Sequence, residues 1–217
     1  MANLKTYQED RLTLHHADCM EIMAQYPDKH FDLAVVDPPY GIGVNMNQGR
    51  RAGDHIKHDR KKWDTSEPKE SYWLELCRVA KNKIIWGANN FPWIPPHNGY
   101  LFWDKDITGT VQFSKGELAY VSSLGHMEIV KIRAQSGSET YSDKIHPTQK
   151  PIKLYAWIYA NYAKPGMKIL DTHLGSGSNA IAAHYAGMEF VGCELDADYY
   201  EAACKRVYHE TRQQELF

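Results

Sequence analysis

Residues 168–194 pack a strand, a glycine turn, a helix and a second strand into one continuous stretch. Lys168-Ile169-Leu170-Asp171 is short and apolar, Thr172 to Gly177 contains the turn Gly175-Ser176-Gly177, and Ser178 to Ala186 carries helix-forming residues. Glu189-Phe190-Val191-Gly192-Cys193-Glu194 is the second apolar run. Glycines at a strand-to-helix turn permit backbone angles that other residues avoid, and they let a ligand approach the main chain closely. Glu194 ends the second strand 19 residues after Gly175. In folds that bind nucleoside cofactors, an acid about 20 residues beyond such a turn takes the ribose hydroxyls. Gly175, Ser176, Gly177, Ser178 and Glu194 are therefore candidate cofactor-binding residues.

The same alternation runs through most of the chain. Arg11–His16 and Phe31–Asp37 read as strands, with a helix over Cys19–Gln25 between them. A helix over Ser71–Val79 precedes strands Lys83–Trp86, Tyr100–Trp103 and Leu118–Ser122. Helices over 152–162, 178–186 and 197–211 and strands over 168–171 and 190–194 complete the pattern. Alternation of this kind implies an α/β fold, a largely parallel sheet with helices on both faces. Open sheets of this class bind ligands beyond the carboxyl ends of their strands. The strand Phe31–Asp37 ends in Asp37-Pro38-Pro39-Tyr40. This tetrapeptide offers a carboxylate, a carbonyl with no competing N–H on the next residue, and an aromatic ring. Asp37 and the Pro38 carbonyl can accept both hydrogens of a planar exocyclic amine while Tyr40 stacks on its ring. A strand ending in a proline turn with an ordinary surface Asp is the plain alternative.

Three segments occur in a fixed order: Asp37-Pro38-Pro39-Tyr40, then His146-Pro147-Thr148-Gln149-Lys150-Pro151, then the glycine turn. In this the chain resembles the β-group of DNA amino-methyltransferases, in which the catalytic half precedes the cofactor half. Trp86-Gly87-Ala88-Asn89-Asn90-Phe91 and Phe102-Trp103-Asp104-Lys105-Asp106 extend the resemblance, which spans roughly Leu12 to Arg206. It implies a Rossmann-like S-adenosylmethionine-dependent methyltransferase fold. One domain over residues 1–217 would hold a catalytic half near 11–125 and a cofactor half near 146–211. The catalytic residues it implies are Asp37, Pro38, Pro39 and Tyr40. It adds Asp18, His146, Thr148, Lys150, Asp171 and His173 to the cofactor set, and Lys105 to the DNA-binding set. Asp18 reads equally well as a helix N-cap, and Pro151 suits a first helical turn.

Gly175-Ser176-Gly177-Ser178-Asn179-Ala180 also satisfies the looser dinucleotide pattern. A dehydrogenase, however, has no use for an amine clamp, so S-adenosylmethionine is the expected cofactor. Two departures from the family stand out. Asp171-Thr172-His173 replaces the common Asp-Pro-Phe; a His there can stack similarly but adds polarity and a titratable group. Only about 40 residues separate Asp106 from Ile145, small beside an independent domain, so no large target-recognition domain is expected. Asp at position 37 points to methylation of adenine N6 in a flipped-out base. The alternatives are cytosine N4, whose enzymes more often carry Ser there, and a non-catalytic DNA-binding or regulatory protein that kept the fold. The compact form resembles enzymes of phages and mobile elements.

With 217 residues and 43% hydrophobic content the chain can bury one full core. No stretch approaches the ~18 apolar residues of a membrane span, and the first residues lack a signal-peptide apolar core. Cys19, Cys77, Cys193 and Cys204 sit singly, as reduced and mostly buried residues of a cytoplasmic protein do. The net charge of −2 excludes a generic polycation. Charge is nonetheless uneven: Arg50, Arg51, Lys57, Arg60, Lys61 and Lys62 crowd the segment after Tyr40. That run reads as a solvated loop or, given its place, as a grip on DNA phosphates around an extruded base. No Cys or carboxylate cluster completes the pair His55 and His58, which is not read as a metal site. The tail Gln213-Gln214-Glu215-Leu216-Phe217 resembles a sliding-clamp-binding peptide, with Gln213, Leu216 and Phe217 as its contacts. Folding of Leu216 and Phe217 back onto the domain is the other reading. Many members of the resembled family dimerise, so a homodimer is one arrangement the resemblance admits, beside a monomer.

Overall fold

The computed structural model describes residues 5–41, 67–110, 114–134, 145–146 and 148–212. The strands are β1 (Lys5–Glu9), β2 (Leu12–His16), β3 (Phe31–Val36), β4 (Ala80–Trp86), β5 (Tyr100–Asp104), β6 (Gly116–Val121), β7 (Met127–Lys131), β8 (Lys168–Asp171) and β9 (Glu189–Glu194). The helices are α1 (Cys19–Met23), α2 (Glu70–Val79), α3 (Ile152–Tyr162), α4 (Ser178–Tyr185) and α5 (Ala197–Arg212). Among the described residues the strands form one sheet in the order β1-β2-β9-β8-β3-β4-β6-β5-β7.

The centre of that sheet is parallel, from β2 through β9, β8 and β3 to β4. Its strands read as apolar runs because both faces are covered. In β3, every residue but Asp32 is buried. Asp32 ties the start of β3 to both neighbours, accepting from the Lys168 amide at 2.9 Å and the Lys81 ammonium at 2.7 Å. On one face, Leu154, Tyr155, Ile158 and Tyr159 of α3 pack with Ala180–Ala183 of α4 and Tyr200, Ala203 and Val207 of α5. On the other face, Met23 of α1 and Tyr72, Leu76 and Val79 of α2 cover β3 and β4. Each such fully buried aliphatic or aromatic side chain stabilises the fold by about 1.5–3 kcal/mol.

Among the described residues the sheet is largely parallel, as expected, with antiparallel pairings confined to its flanks. β6 runs antiparallel to both β4 and β5, between which it lies, and β1 runs antiparallel to β2. Two strands were not anticipated. β1 is a mostly exposed edge strand with no apolar alternation, and β7 is an edge strand paired parallel to β5. Of the cysteines, Cys193 alone is fully buried and all four are free thiols. No helix among the described residues is long and apolar enough to cross a membrane.

The topology places the site. From β3 the chain crosses to β4 on one side, and from β8 it crosses to β9 on the other, while β3 and β8 are themselves neighbours. Such a reversal opens a crevice beyond the carboxyl ends of the two strands. Asp37 follows β3 and Asp171 ends β8, so both stand at its rim.

Candidate active site

Asp37 sits in a cluster of charges. One carboxylate oxygen, Oδ1, accepts from the Tyr40 hydroxyl at 2.6 Å. The other, Oδ2, accepts from the Lys150 ammonium at 2.5 Å. Lys150 also reaches Glu117 Oε2 at 3.0 Å, and Lys105 bonds Glu117 Oε1 at 2.6 Å. The Lys150 side chain is 2% exposed, so this ammonium is buried between two carboxylates. The Trp86 ring lies 5.4 Å from it, a cation–π distance.

Strand direction explains the gathering. β5 is parallel to β4 through the intervening antiparallel β6, so Lys105, just past the end of β5, reaches the same edge as Trp86. Because β6 runs the other way, it is its first residues that arrive there, and Glu117 is opposite Trp103. Burial lifts Asp37 above the usual carboxylate range, and the Glu117 charge adds to this against the pull of Lys150. Burial works against the Glu117 charge too, but Lys150 and Lys105 outweigh it and bring Glu117 down to about 2. Burial likewise opposes the Lys150 charge, and the two carboxylates overcome it, holding the ammonium above its ordinary value.

Tyr40 is braced from behind. Its ring meets Phe91 edge-on at 6.0 Å, and Gly87 passes directly beneath it with φ of +71°. A Cβ at Gly87 would stand 2.1 Å from the Tyr40 ring. Gly87→Ala is thus expected to displace Tyr40 and also to force a left-handed residue, costing about 1–2 kcal/mol for the backbone alone. Misplacement near the chemistry by an ångström can lower a rate about 10²-fold. A thermal melt and a turnover assay on the variant check both; wild-type turnover would show that Tyr40 keeps its place.

The glycine turn lies beside this cluster. Gly175 and Gly177 have φ of +52° and +76°. A Cβ on Gly177 would also meet Val207 at 2.9 Å, so only glycine lets α5 pack against the turn. Glu194 accepts from the Gly175 amide at 2.9 Å and the Asp196 amide at 3.0 Å, which fixes its carboxylate beside the turn. Burial still holds Glu194 above its ordinary value. Asp171 is buried and accepts from the His173 amide at 3.1 Å and the Asn179 side-chain amide at 2.9 Å. His173 is edge-on to Tyr72 at 5.6 Å, and burial lowers its pKa to about 4, so its imidazole is neutral near pH 7. It fills an aromatic position, as its place in Asp171-Thr172-His173 suggests.

The strip around Lys150 joins the two halves. His146 packs edge-on against Tyr199 at 4.5 Å, and its ring lies 3.7 Å from where a Gly175 Cβ would stand. Thr148 Oγ1 meets His146 Nδ1 at 3.2 Å. Four residues after His146, Lys150 is on Asp37.

Several of the expected site residues have partners within the chain. Lys150, expected among the cofactor residues from the sequence, has its ammonium on Asp37 and Glu117, because the segment crosses from the glycine turn to the end of β3. Lys105, assigned to DNA, is 14% exposed and commits its charge to Glu117. The Ser176 and Ser178 hydroxyls meet each other at 3.1 Å, and Arg206 donates to Ser178 Oγ at 2.8 Å and to the Ser176 carbonyl at 2.9 Å. Those hydroxyls thus engage α5 from behind the turn. Asp18 caps α1 by accepting from the Met20 amide at 2.7 Å, and it remains exposed at the end of β2. Arg50, Arg51, Lys57, Arg60, Lys61, Lys62, Pro147, Gln213, Leu216 and Phe217 lie outside the described residues, as do His55 and His58. No group of three or more potential metal ligands occurs among the described residues. Glu117 and Asn179 were missed as site residues; a polar Asn among buried small residues was the available signal for the second.

A family model described as DNA methylase matches residues 50–205, more than two thirds of the chain. YubD of Escherichia coli (strain K12) is 27% identical over 206 residues, covering 88% of this chain and 87% of that protein. The type II methyltransferase M.HinfI of Haemophilus influenzae is 23% identical over 243 residues, covering 90% and 68% of the two chains. Among solved structures, the M1.HpyAVI–SAM complex superposes with a TM-score of 0.60 at 18% identity, over 90% of this chain and 98% of that one. The PvuII DNA methyltransferase (cytosine-N4-specific) gives 0.61 at 11% identity, over 95% and 93%. The crevice at the β3–β8 boundary, with its Asp-Pro-Pro-Tyr corner and glycine turn, is that of a member of the DNA methylase family, to which this chain belongs.

Proposed function

We propose that the chain transfers a methyl group from S-adenosylmethionine to N6 of an adenine turned out of duplex DNA. The observation that carries this reading is the Asp37 carboxylate, backed by Tyr40, at the rim of the crevice that also holds the glycine turn and Glu194. The residues fit such a cofactor. The positive-φ glycines remove side chains from the turn, and Glu194, anchored by two amides, keeps lone pairs for ribose hydroxyls. His146 and Asp171 flank the same turn. When bound, S-adenosylmethionine supplies a methyl group activated by a sulfonium.

The chain's own residues address the other reactant. An adenine amine is a poor nucleophile because its lone pair is delocalised into the ring. Acceptors at Asp37 and the Pro38 carbonyl favour a tetrahedral nitrogen and stabilise the positive charge that develops there. The Tyr40 ring offers a face to a base withdrawn from its stack. Asp37 can take the departing proton. Holding both reactants in one crevice supplies much of the remaining acceleration.

Asp at position 37 supports adenine over cytosine, since the resemblance associates Ser with cytosine N4. The cytosine-N4-specific PvuII enzyme among the structural neighbours favours the second reading. Incubation with unmethylated duplex DNA and S-adenosylmethionine, followed by nucleoside mass spectrometry, decides. N6-methyladenosine supports the proposal, N4-methylcytosine replaces it, and absence of cofactor binding turns the chain into a non-catalytic relative. Glu194→Ala should weaken cofactor binding about 10–100-fold, the value of one or two hydrogen bonds to a charged group. Isothermal calorimetry with unchanged affinity would remove Glu194 from the site.

A further inference from the structure

Asp37 is one of four charged side chains in a single cluster, and the reading above uses it alone. Two cations, Lys105 and Lys150, alternate with two carboxylates, Glu117 and Asp37, in one chain of contacts between 2.5 and 3.0 Å. They come from four different segments: the end of β5, the strip before α3, the start of β6 and the end of β3. Buried ion pairs are a poor device for stability, because desolvation offsets most of their attraction and apolar replacements are often as stable. A network of this kind beside a reacting carboxylate needs another explanation.

We propose that Glu117 and Lys150 are positioning residues for methyl transfer: Lys150 holds Asp37 as an aimed, ionised acceptor, and Glu117 fixes the Lys150 ammonium in place while its own charge tempers that ammonium's pull. The inference rests on the assignment of Asp37 as the acceptor of the substrate amine. Glu117 is suited to the task because both of its oxygens are fixed, one by each lysine. Lys150 is suited because its ammonium touches both carboxylates at once and approaches the Tyr40 hydroxyl at 3.5 Å. Asp37 is faced by Tyr40, Lys150 and Glu117, by Lys105 through Glu117, and at longer range by Tyr155 of α3 and Asp171 of β8. Lys150 is the cation in direct contact with it.

The two residues bear opposite charges, so their removal makes opposite predictions. In Lys150→Met, Asp37 loses its cation and its proton affinity rises. In Glu117→Gln, Asp37 loses a neighbouring negative charge and its proton affinity falls. The pH dependence of kcat/KM reports ionisation in the free enzyme. Its acid midpoint is expected to move up by about 1–3 pH units in Lys150→Met, the effect of an opposite charge within a few ångströms, and to move down in Glu117→Gln. If transfer did not depend on the ionisation of Asp37, both variants would lower the folded fraction and leave the midpoint in place.

The experiment is tritiated methyl transfer to duplex DNA between about pH 4.5 and 9, with folding checked by circular dichroism and Asp37→Asn run alongside. Opposite displacements in the two variants support the proposal. Midpoints that stay fixed or move the same way, with Asp37→Asn inactive, overturn it. An active Asp37→Asn instead removes the assignment of Asp37 on which it rests. If Lys150→Met does not fold, Glu117→Asp decides: restored wild-type behaviour, against a lowered midpoint in Glu117→Gln, supports the role, and identical midpoints in the two reject it.

Discussion

Replacing Asp37 with alanine is expected to lower methyl transfer by about 10²–10³-fold or more, the loss seen when one preorganised electrostatic partner is taken from a transition state. Cofactor affinity should barely change, because the glycine turn and Glu194 make their contacts without Asp37. The fold should also survive. Lys150 keeps Glu117 as a carboxylate partner at 3.0 Å, so the buried ammonium is not left alone. That distinguishes Asp37→Ala from the removal of Lys150, which would leave two carboxylates facing each other with Lys105 alone to compensate. Single-turnover transfer with saturating cofactor, read beside calorimetric cofactor binding, checks both halves. Wild-type turnover in Asp37→Ala would sink its role, whereas loss of cofactor binding would place Asp37 in the wrong half of the site.

The parts of this site that were legible in the sequence are those whose signals are local. β3 and β8 announce themselves as apolar runs because they are buried on both faces, and their ends therefore locate Asp37 and Asp171. The glycine turn is visible because positive φ at Gly175 and Gly177 demands that residue. Glu117 and Lys105 were not legible in the same way. Their meeting depends on β6 inserting antiparallel between β4 and β5, and strand direction leaves no mark in a short apolar run. Lys150 was seen, but its carboxylate partners Asp37 and Glu117 were not, since a motif names a residue without saying where a long side chain ends. β1 escaped for a physical reason too: an exposed edge strand such as Lys5–Glu9 needs no apolar alternation to pair with β2.

Asn179→Ala is expected to cost about 3–5 kcal/mol, the largest stability loss at any polar residue of the site. Its side chain is 2% exposed and joins three elements. The amide donates to the Val35 carbonyl at 3.0 Å and to Asp171 at 2.9 Å, while its oxygen accepts from Tyr159 at 2.5 Å. Alanine leaves three buried groups on β3, β8 and α3 without partners, and each unmet group costs about 1–3 kcal/mol. The loss should also depend on pH. Burial pushes Asp171 up to about 7 from an ordinary 3.8, with nearby Asp37 and Glu194 adding to the rise and the Asn179 amide opposing it. Between those values the folded chain holds a proton that the unfolded chain has released. Stability from this proton is complete below pH 3.8 and disappears as pH rises through about 7. Removing the Asn179 amide penalises the ionised carboxylate most, so the variant should lose more at pH 8 than at pH 5. Urea denaturation of both proteins at these two pH values measures the difference; an equal loss at each would separate Asn179 from the ionisation of Asp171.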